Sequence, residues 1–528
     1  MESIEPTNTF WNRAGIFLLI CTALVVLAVP VFPSQDGPVH LYYVDIARDL
    51  LHHTGPYVGH FEIRNWLTPY SSEYLLLLTL ETVFSPELSE KLMICCYIFA
   101  FGLAFRYLVN SVTERSGPWI LAGIPFCMHS IVYLGFMNFC LALTLAMFLA
   151  GFWTRYAAQL TAGRLAVLLC AFMLLLLTHP VPVAIFLIYA GLYCSAGILV
   201  AVVAGAESLS TALRARWRQF GVVAGMGVLA IFWLSLFFER GPAAPKPLIA
   251  DKVPYLSNLI HEAGLSPIVP FRSPRYRAGL LLLVAIAAAA LLTGLWRNRA
   301  NISPAALATA ATSGICFTLY TVVPVSINGS FYFPQRFPIL WLIFFMAAAA
   351  AFRPPRMVAQ LAGVVAIAAT CIILPQQWIN TSRVVSDMSV VLASPPAPPG
   401  SVGVIIGELP PNPQGFAFNP FFWGGAHYFR RSKAILANAP WLHLRILMLR
   451  VAHPDRWYNL STWEASATLA EAVRQGGAPA ELQLVVREQS ATGATGEALK
   501  GLGWTPLALQ NDNLAIYERP VAPRAAAK

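Results

Sequence analysis

The sequence predicts a polytopic α-helical membrane protein of about 11 to 13 transmembrane helices, followed by a small C-terminal α+β domain outside the membrane. Three observations carry that reading. Of 528 residues 57% are hydrophobic and 11% charged, far from the charged quarter of a soluble domain, and mean hydropathy is +0.62. Apolar runs of spanning length, about 20 residues, recur with centres near residues 23, 99, 127, 146, 173, 193, 227, 288, 314, 345 and 366. After residue 375 those runs stop and Pro, Gly and charge rise. Residues 1-375 therefore form a transmembrane domain and 376-528 a soluble extracytoplasmic one.

The first run, Arg13 to Phe32, resembles a secretory signal, but Ala28-Val29-Pro30 imitates a cleavage site poorly. It reads as an uncleaved helix with Met1 inside and Asp36 outside. Arg106/Arg115, Arg155/Arg164, Arg214/Arg216/Arg218, Arg297/Arg299 and Arg353/Arg356 fall at every second junction, which assigns those loops inside. The net charge of +10 thus orients helices and does not imply nucleic acid. All nine cysteines lie in apolar stretches, so neither a disulfide framework nor a zinc site is expected.

The first outer loop, residues 34-88, opens on Phe32-Pro33-Ser34-Gln35-Asp36-Gly37-Pro38-Val39-His40-Leu41-Tyr42. Pro38 suits a first helical turn, and Val39, Tyr43, Ile46, Ala47 and Leu50 recur at helical spacing opposite Asp45, Arg48, Asp49 and His52. The pattern predicts an amphipathic helix lying on the membrane surface. His60, Glu62 and Arg64 alternate with apolar residues, so an extended chain points all three the same way, toward the same cavity as Asp36. Tyr74 to Phe84 is apolar but short and flanked by Glu73 and Glu81; it is expected to be interfacial or re-entrant. Further outer segments are Tyr133 to Asn138, Thr178-His179-Pro180, Glu239 to Arg277 and Pro324 to Arg336. Beyond the Pro-rich linker from Ser394 to Gly400, strands are expected at Val402 to Ile406 and Leu482 to Val486. A helix is expected at Ser461 to Gln475, and a hairpin of Pro506 to Gln510 with Asn513 to Glu518.

Asp36 has two readings. Asp is a common N-cap, and a carboxylate in a partly desolvated cleft is also a general base. Arg336, in Gln335-Arg336-Phe337, suits a phosphate through paired hydrogen bonds or a snorkelling helix-end anchor. Glu239-Arg240 reads as a local ion pair, with Glu239 a second choice of cleft carboxylate and Glu73 a third. The histidines lack metal-ligand spacing and read as surface or loop residues. Tyr70, Tyr74, Trp119, Trp233, Trp341 and Trp378 read as the aromatic belt of a bilayer. Asn328-Gly329-Ser330 and Asn459-Leu460-Ser461 read as turns. No nucleotide-binding loop, Gly-x-Ser-x-Gly elbow or heptad seam is present.

Gln35-Asp36-Gly37-Pro38, directly after the first helix, and Arg336-Phe337-Pro338 at a late outer helix entry resemble the corresponding places of the GT-C superfamily of integral-membrane glycosyltransferases. That superfamily includes protein O-mannosyltransferases and lipid A aminoarabinose transferases. The resemblance covers about residues 10 to 375. It implies a polyprenyl-phosphate sugar donor and an acceptor hydroxyl on a glycan, lipid or protein. Asp36 would be the base and Arg336 would steady the leaving phosphate, in a bacterial inner membrane with the active site outside. His40, Glu62, Arg64, Glu73, His179, Glu239, Arg240 and Gln335 are the further candidate substrate-binding residues. Many members carry a paired Asp-Glu or Asp-Asp where this chain has Gln35-Asp36. No cofactor is therefore expected, and a divalent metal has no motif to support it. The competing readings are a non-catalytic scaffold and a lipid or solute transporter, the latter disfavoured because the ionisable groups sit at helix ends.

Overall fold

The computed structural model describes residues 6–113, 117–237, 268–270, 273–298, 301–323, 334–407, 423–437, 448–452, 483–488, 494–510 and 514–519. Among these, nine helices are long and apolar enough to cross a membrane, and the chain is an integral membrane protein. They are or include α1 (Pro6–Leu27), α4 (Pro86–Val112), α6 (Met137–Tyr156), α8 (Pro180–Val203), α9 (Leu209–Ser235), α10 (Pro274–Arg297), α11 (Pro304–Val322), α12 (Phe337–Ala351) and α13 (Arg356–Asp387). An apolar helix of 15 residues, α7 (Ala162–Leu176), adds a shorter one. Several begin where the sequence supplies a hydroxyl ahead of proline: Ser273 and Ser303 accept from the amides of Tyr276 and Ala306, with Pro274 and Pro304 opening the helices. That is the usual pairing of cap and first-turn proline.

The crossing expected near residue 127 is not a continuous helix. Residues 117 to 136 form two 3₁₀ turns, Gly117–Leu121 and Ile124–Phe126, and a four-residue helix, α5 (Ser130–Tyr133). Pro118 and Pro125 remove backbone donors, and Gly117 and Gly135 take φ of +46° and +83°, which a helix does not contain. Irregular backbone in a membrane protein persists where protein surrounds it, and this stretch is almost wholly buried. The Tyr276 hydroxyl donates to the Pro125 carbonyl at 2.7 Å, and the Ser130 amide to the Ile268 carbonyl at 2.9 Å.

Two compact units divide the chain. One comprises Met1–Ala28, Ile94–Val132 and Met137–Gln377. Its helices pack through cores such as that of α6 to α9, where Trp153, Phe172, Leu176, Phe186 and Met226 interlock. The other gathers Val29–Met93, Tyr133–Phe136 and Trp378–Lys528. It holds α2 (Gly37–His52) and α3 (Ser71–Leu80), whose ten residues span about 15 Å, half of a hydrocarbon core of about 30 Å.

In this second unit β1 (Phe61–Ile63) pairs antiparallel with β4 (Leu449–Val451). A five-stranded sheet runs β3-β2-β5-β7-β6, with β2 (Val402–Gly407) parallel to β3 (Ile435–Leu436) and to β5 (Leu484–Glu488). The hairpin expected at the C-terminal end is β6 (Thr505–Gln510) against β7 (Leu514–Glu518). Val404, Ile406, Val485 and Tyr517 meet Leu499 and Trp504 on one face of the sheet. The helix expected at Ser461 to Gln475 lies outside the described residues.

The surface helix expected at Pro38 to Leu50 is present as α2 but does not lie on a surface. Asp45 and Asp49 are 4% and 5% exposed, and Val39, Ile46 and Ala47 fully buried. The polar face that was to meet water meets charged side chains instead.

Candidate functional site

Asp36 stands at the first position before α2, yet its side chain makes no capping bond. The backbone caps the helix in its place, the Asp36 carbonyl accepting from the amides of Val39 and His40 at 3.0 and 3.1 Å. The carboxylate is 2% exposed, and its Oδ1 accepts from Gln35 Nε2 at 3.3 Å. The turn is fixed from outside. Gln35 N donates to the Tyr133 carbonyl at 2.8 Å and Asp36 N to the Leu134 carbonyl at 3.2 Å. Gly135, in the left-handed region, comes so close that a Cβ there would lie 2.7 Å from Gly37 N. Ser34 Oγ donates to Glu90 Oε1 at 2.8 Å, and a side chain at Gly37 would strike both.

One helical turn into α2, His40 Nδ1 and the Tyr74 hydroxyl lie 2.8 Å apart. Burial pushes His40 down to about 4, so the ring is neutral at pH 7, and its tautomer decides which atom carries the shared proton. Burial, then the negative charges of Glu73 and Asp36, hold the Tyr74 hydroxyl far above the usual tyrosine range. Tyr43 is raised in the same way, first by burial, with Tyr74, Tyr42 and the Asp36 carboxylate as its neighbours. Asp36, His40, Tyr43, Glu73 and Tyr74 thus share one buried neighbourhood, and Glu73 is 1% exposed.

Further along α2 lies a second polar cluster. Asp45 pairs with Arg48 and with Arg430 Nη1, the latter at 3.8 Å, and Arg48 with Glu81 at 3.2 Å. Arg430 also binds Glu87, and Lys433 binds Asp49 at 3.2 Å. Tyr42 Oη donates to the Ala434 carbonyl at 3.0 Å and accepts from Leu436 N at 2.9 Å. Burial, followed by the charge of Asp45, raises Glu81 to about 8 against the pull of Arg48. Burial likewise raises Asp45, opposed by Arg430 and Arg48.

The other predicted residues have different surroundings. Glu62 pairs with Arg450 across the β1–β4 ladder, both side chains more than 40% exposed. Arg64 donates its amide to the Met448 carbonyl at 2.7 Å. In the helical unit, His179 is 1% exposed and caps α8, its Nδ1 accepting from Val181 N at 3.1 Å. It is therefore neither a surface nor a loose loop histidine. Burial and then the charge of Arg336 hold it well below 6.5, and its ring meets Phe139 edge to face. Arg336 is 3% exposed at the start of α12, which a snorkelling side chain is not, and a cation at a helix N-terminus opposes the helix dipole. Gln335 is half-buried beside it. Glu239 and Arg240 lie outside the described residues.

Tyr43, Tyr74, Glu90 and Arg430 were not among the site residues read from the sequence. Tyr74 was read as a bilayer-belt aromatic but is 1% exposed, as Trp119 is 2%; the hydroxyl bond to His40 explains why Tyr74 lies inside. A weak signal existed for Tyr43, seven residues after Asp36 and hence near the same helix face.

No protein-family model and no curated protein sequence matches the chain. Among solved structures, it is similar to the crystal structure of ArnT from Cupriavidus metallidurans in the apo state. The two are 12% identical with a TM-score of 0.47, over 96% of this chain and 98% of that one.

Proposed function

We propose that the chain is a membrane glycosyltransferase of the GT-C kind, moving a sugar from a polyprenyl-phosphate donor to an acceptor hydroxyl at the outer membrane surface. The observation that carries this is the Asp36 carboxylate, buried at a helix start yet excluded from capping. A carboxylate so placed is set to receive a proton. Gln35 steadies one oxygen.

In the proposed step the acceptor O–H gives its proton to Asp36 as its oxygen attacks the anomeric carbon. The bond from that carbon to the phosphate oxygen breaks, the configuration inverts and polyprenyl phosphate leaves with the electron pair. Arg336 is assigned to that phosphate because a buried guanidinium keeps its charge and offers paired donors. Charge fixed in advance at a leaving group stabilises the transition state. A lipid donor entering from the bilayer also fits a chain without a nucleotide-binding loop. The arginine clusters at alternate junctions support an outer position for Asp36.

The test compares purified wild type with Asp36→Asn, using radiolabelled polyprenyl-phosphate hexose and pentose donors and crude cell-envelope acceptors. Removing a general base costs about 10²- to 10⁴-fold, so Asp36→Asn is expected to lose at least a hundredfold in transfer while melting like wild type. Equal transfer by the two chains overturns the assignment.

A further inference from the structure

The turn that presents Asp36 is tied down on both sides, and both ties lead to the first turns of α4. Upstream, Ser34 binds Glu90. Downstream, Asp45 of α2 is held by Arg430, whose other terminal nitrogen binds Glu87. Glu87 and Glu90 are three residues apart and share one face of α4. Arg430 sits on α14 (Ala426–Arg431), in the chain that follows the last long apolar helix, and its side chain is 7% exposed. The guanidinium is hydrogen-bonded to Glu87, which fixes its plane, and attracts Asp45 across 3.8 Å, so one rigid cation joins the two elements.

We infer that Arg430 is a positioning residue for Asp36: it fastens α2 to α4 and thereby sets where the Asp36 carboxylate stands. The inference rests on the transferase reading and deepens it, giving the C-terminal region a part in the chemistry without contact with substrate. Asp45 is nine residues beyond Asp36, about 14 Å along the helix at about 1.5 Å per residue. A tilt of about 5° about that anchor displaces Asp36 by about 1 Å, and a misplacement of that size costs up to about a hundredfold in rate. Lys433, paired with Asp49 and 45% exposed, grips the same helix farther from Asp36 with a single flexible charge, and serves as the control.

The experiment measures kcat, the donor KM and the melting temperature of the full-length chain in detergent, with the same labelled donors. Arg430→Gln is expected to lower kcat about tenfold or more at unchanged KM, with part of the loss recovered by Arg430→Lys. Lys433→Met should keep wild-type kcat. Because Arg430→Gln takes from Asp45 and Glu87 a cation they share, leaving Asp45 with Arg48 alone, a triple variant, Arg430→Met with Asp45→Asn and Glu87→Gln, removes all three charges together. Removing the partners of an ion pair together is often neutral for stability, whereas removing one of them is costly, and Arg48, which loses Asp45, keeps Glu81 and is 35% exposed. The triple variant should therefore melt close to wild type while its kcat stays low, since apolar contact holds the helix without fixing its angle. Recovery of kcat together with melting temperature would show Arg430 to be structural only and overturn the inference. Wild-type kcat in Arg430→Gln would do the same while leaving the transferase reading intact. A wild-type chain that transfers no sugar from any donor removes that reading, and this inference with it.

Discussion

A carboxylate at a helix start ordinarily gives its oxygens to the amide protons of the first turn. In α2 the Asp36 carbonyl meets two of those amides and the side chain none. Asp36→Asn therefore leaves the helix start intact, which makes its loss of transfer readable as chemistry. His40 gives a second residue-level expectation. Its pKa is about 4 when folded against an ordinary 6.5, so between those values the unfolded chain binds the extra proton and the folded chain does not. Stability is present above about 6.5 and lost as pH falls toward 4. His40→Gln should flatten that loss, measured as the difference between variant and wild-type unfolding from pH 7 to pH 4.5. Glu81 has the opposite sign: raised to about 8 from 4.5, it contributes stability that is full below 4.5 and disappears as pH rises through 8. Glu81→Gln should remove a share of the alkaline sensitivity in the same assay. The position of Asp36 after the first helix was legible from one sequence, and so was its choice between cap and base. How the turn is held was not, because the carbonyls that accept from the Gln35 and Asp36 amides belong to Tyr133 and Leu134, about a hundred residues away.

Among the elements, the broken stretch from Gly117 to Phe136 departs furthest from hydropathy. Apolarity alone made it a crossing, and Pro118, Pro125, Gly117 and Gly135 divide it into turns. The result is a carbonyl pair, at Tyr133 and Leu134, that receives the Asp36 turn. Gly135 admits no substitute. Its φ of +83° is costly for an L side chain, about 1–2 kcal/mol, and a Cβ would approach both Gly37 N and Asp36 N within 3.0 Å. Gly135→Ala should lower the melting temperature and reduce transfer, and a variant with wild-type values for both would contradict this account of the turn. The period of α2 was legible for the same reason that its surroundings were not. Spacing of Val39, Tyr43, Ile46 and Leu50 reports a helix with one apolar face, but not whether the other face meets water or the side chains of Arg430, Lys433 and Glu81.

For the whole molecule, nine long helices among the described residues, the shorter α7 and the irregular stretch together match the eleven apolar segments of the sequence. If each of the eleven crosses, as the sequence reading has it, the two ends of the chain lie on opposite sides. With the arginine clusters inside, an enzyme reporter that is active only outside the cytoplasm should be active when fused after Lys528 and silent when fused before Met1. Activity at the N-terminal fusion would reverse the orientation. Fold class was legible because hydropathy and the length of a bilayer crossing are nearly one quantity. The gathering of residues 29–93, 133–136 and 378–528 into one compact unit was not, since nothing local marks three distant stretches as partners.

That unit also implies an order of events during synthesis. The Asp36 turn leaves the ribosome early, but its backbone partners Tyr133 and Leu134 follow only after several helices, and the Tyr42 bond closes with a carbonyl 392 residues later. Until then α2 lacks the contacts made by residues 430–436. A nascent chain halted before residue 426 is expected to be inserted but to lack the proposed transfer, because the ties of α2 to Arg430, Lys433 and Ala434 come only with the last part of translation.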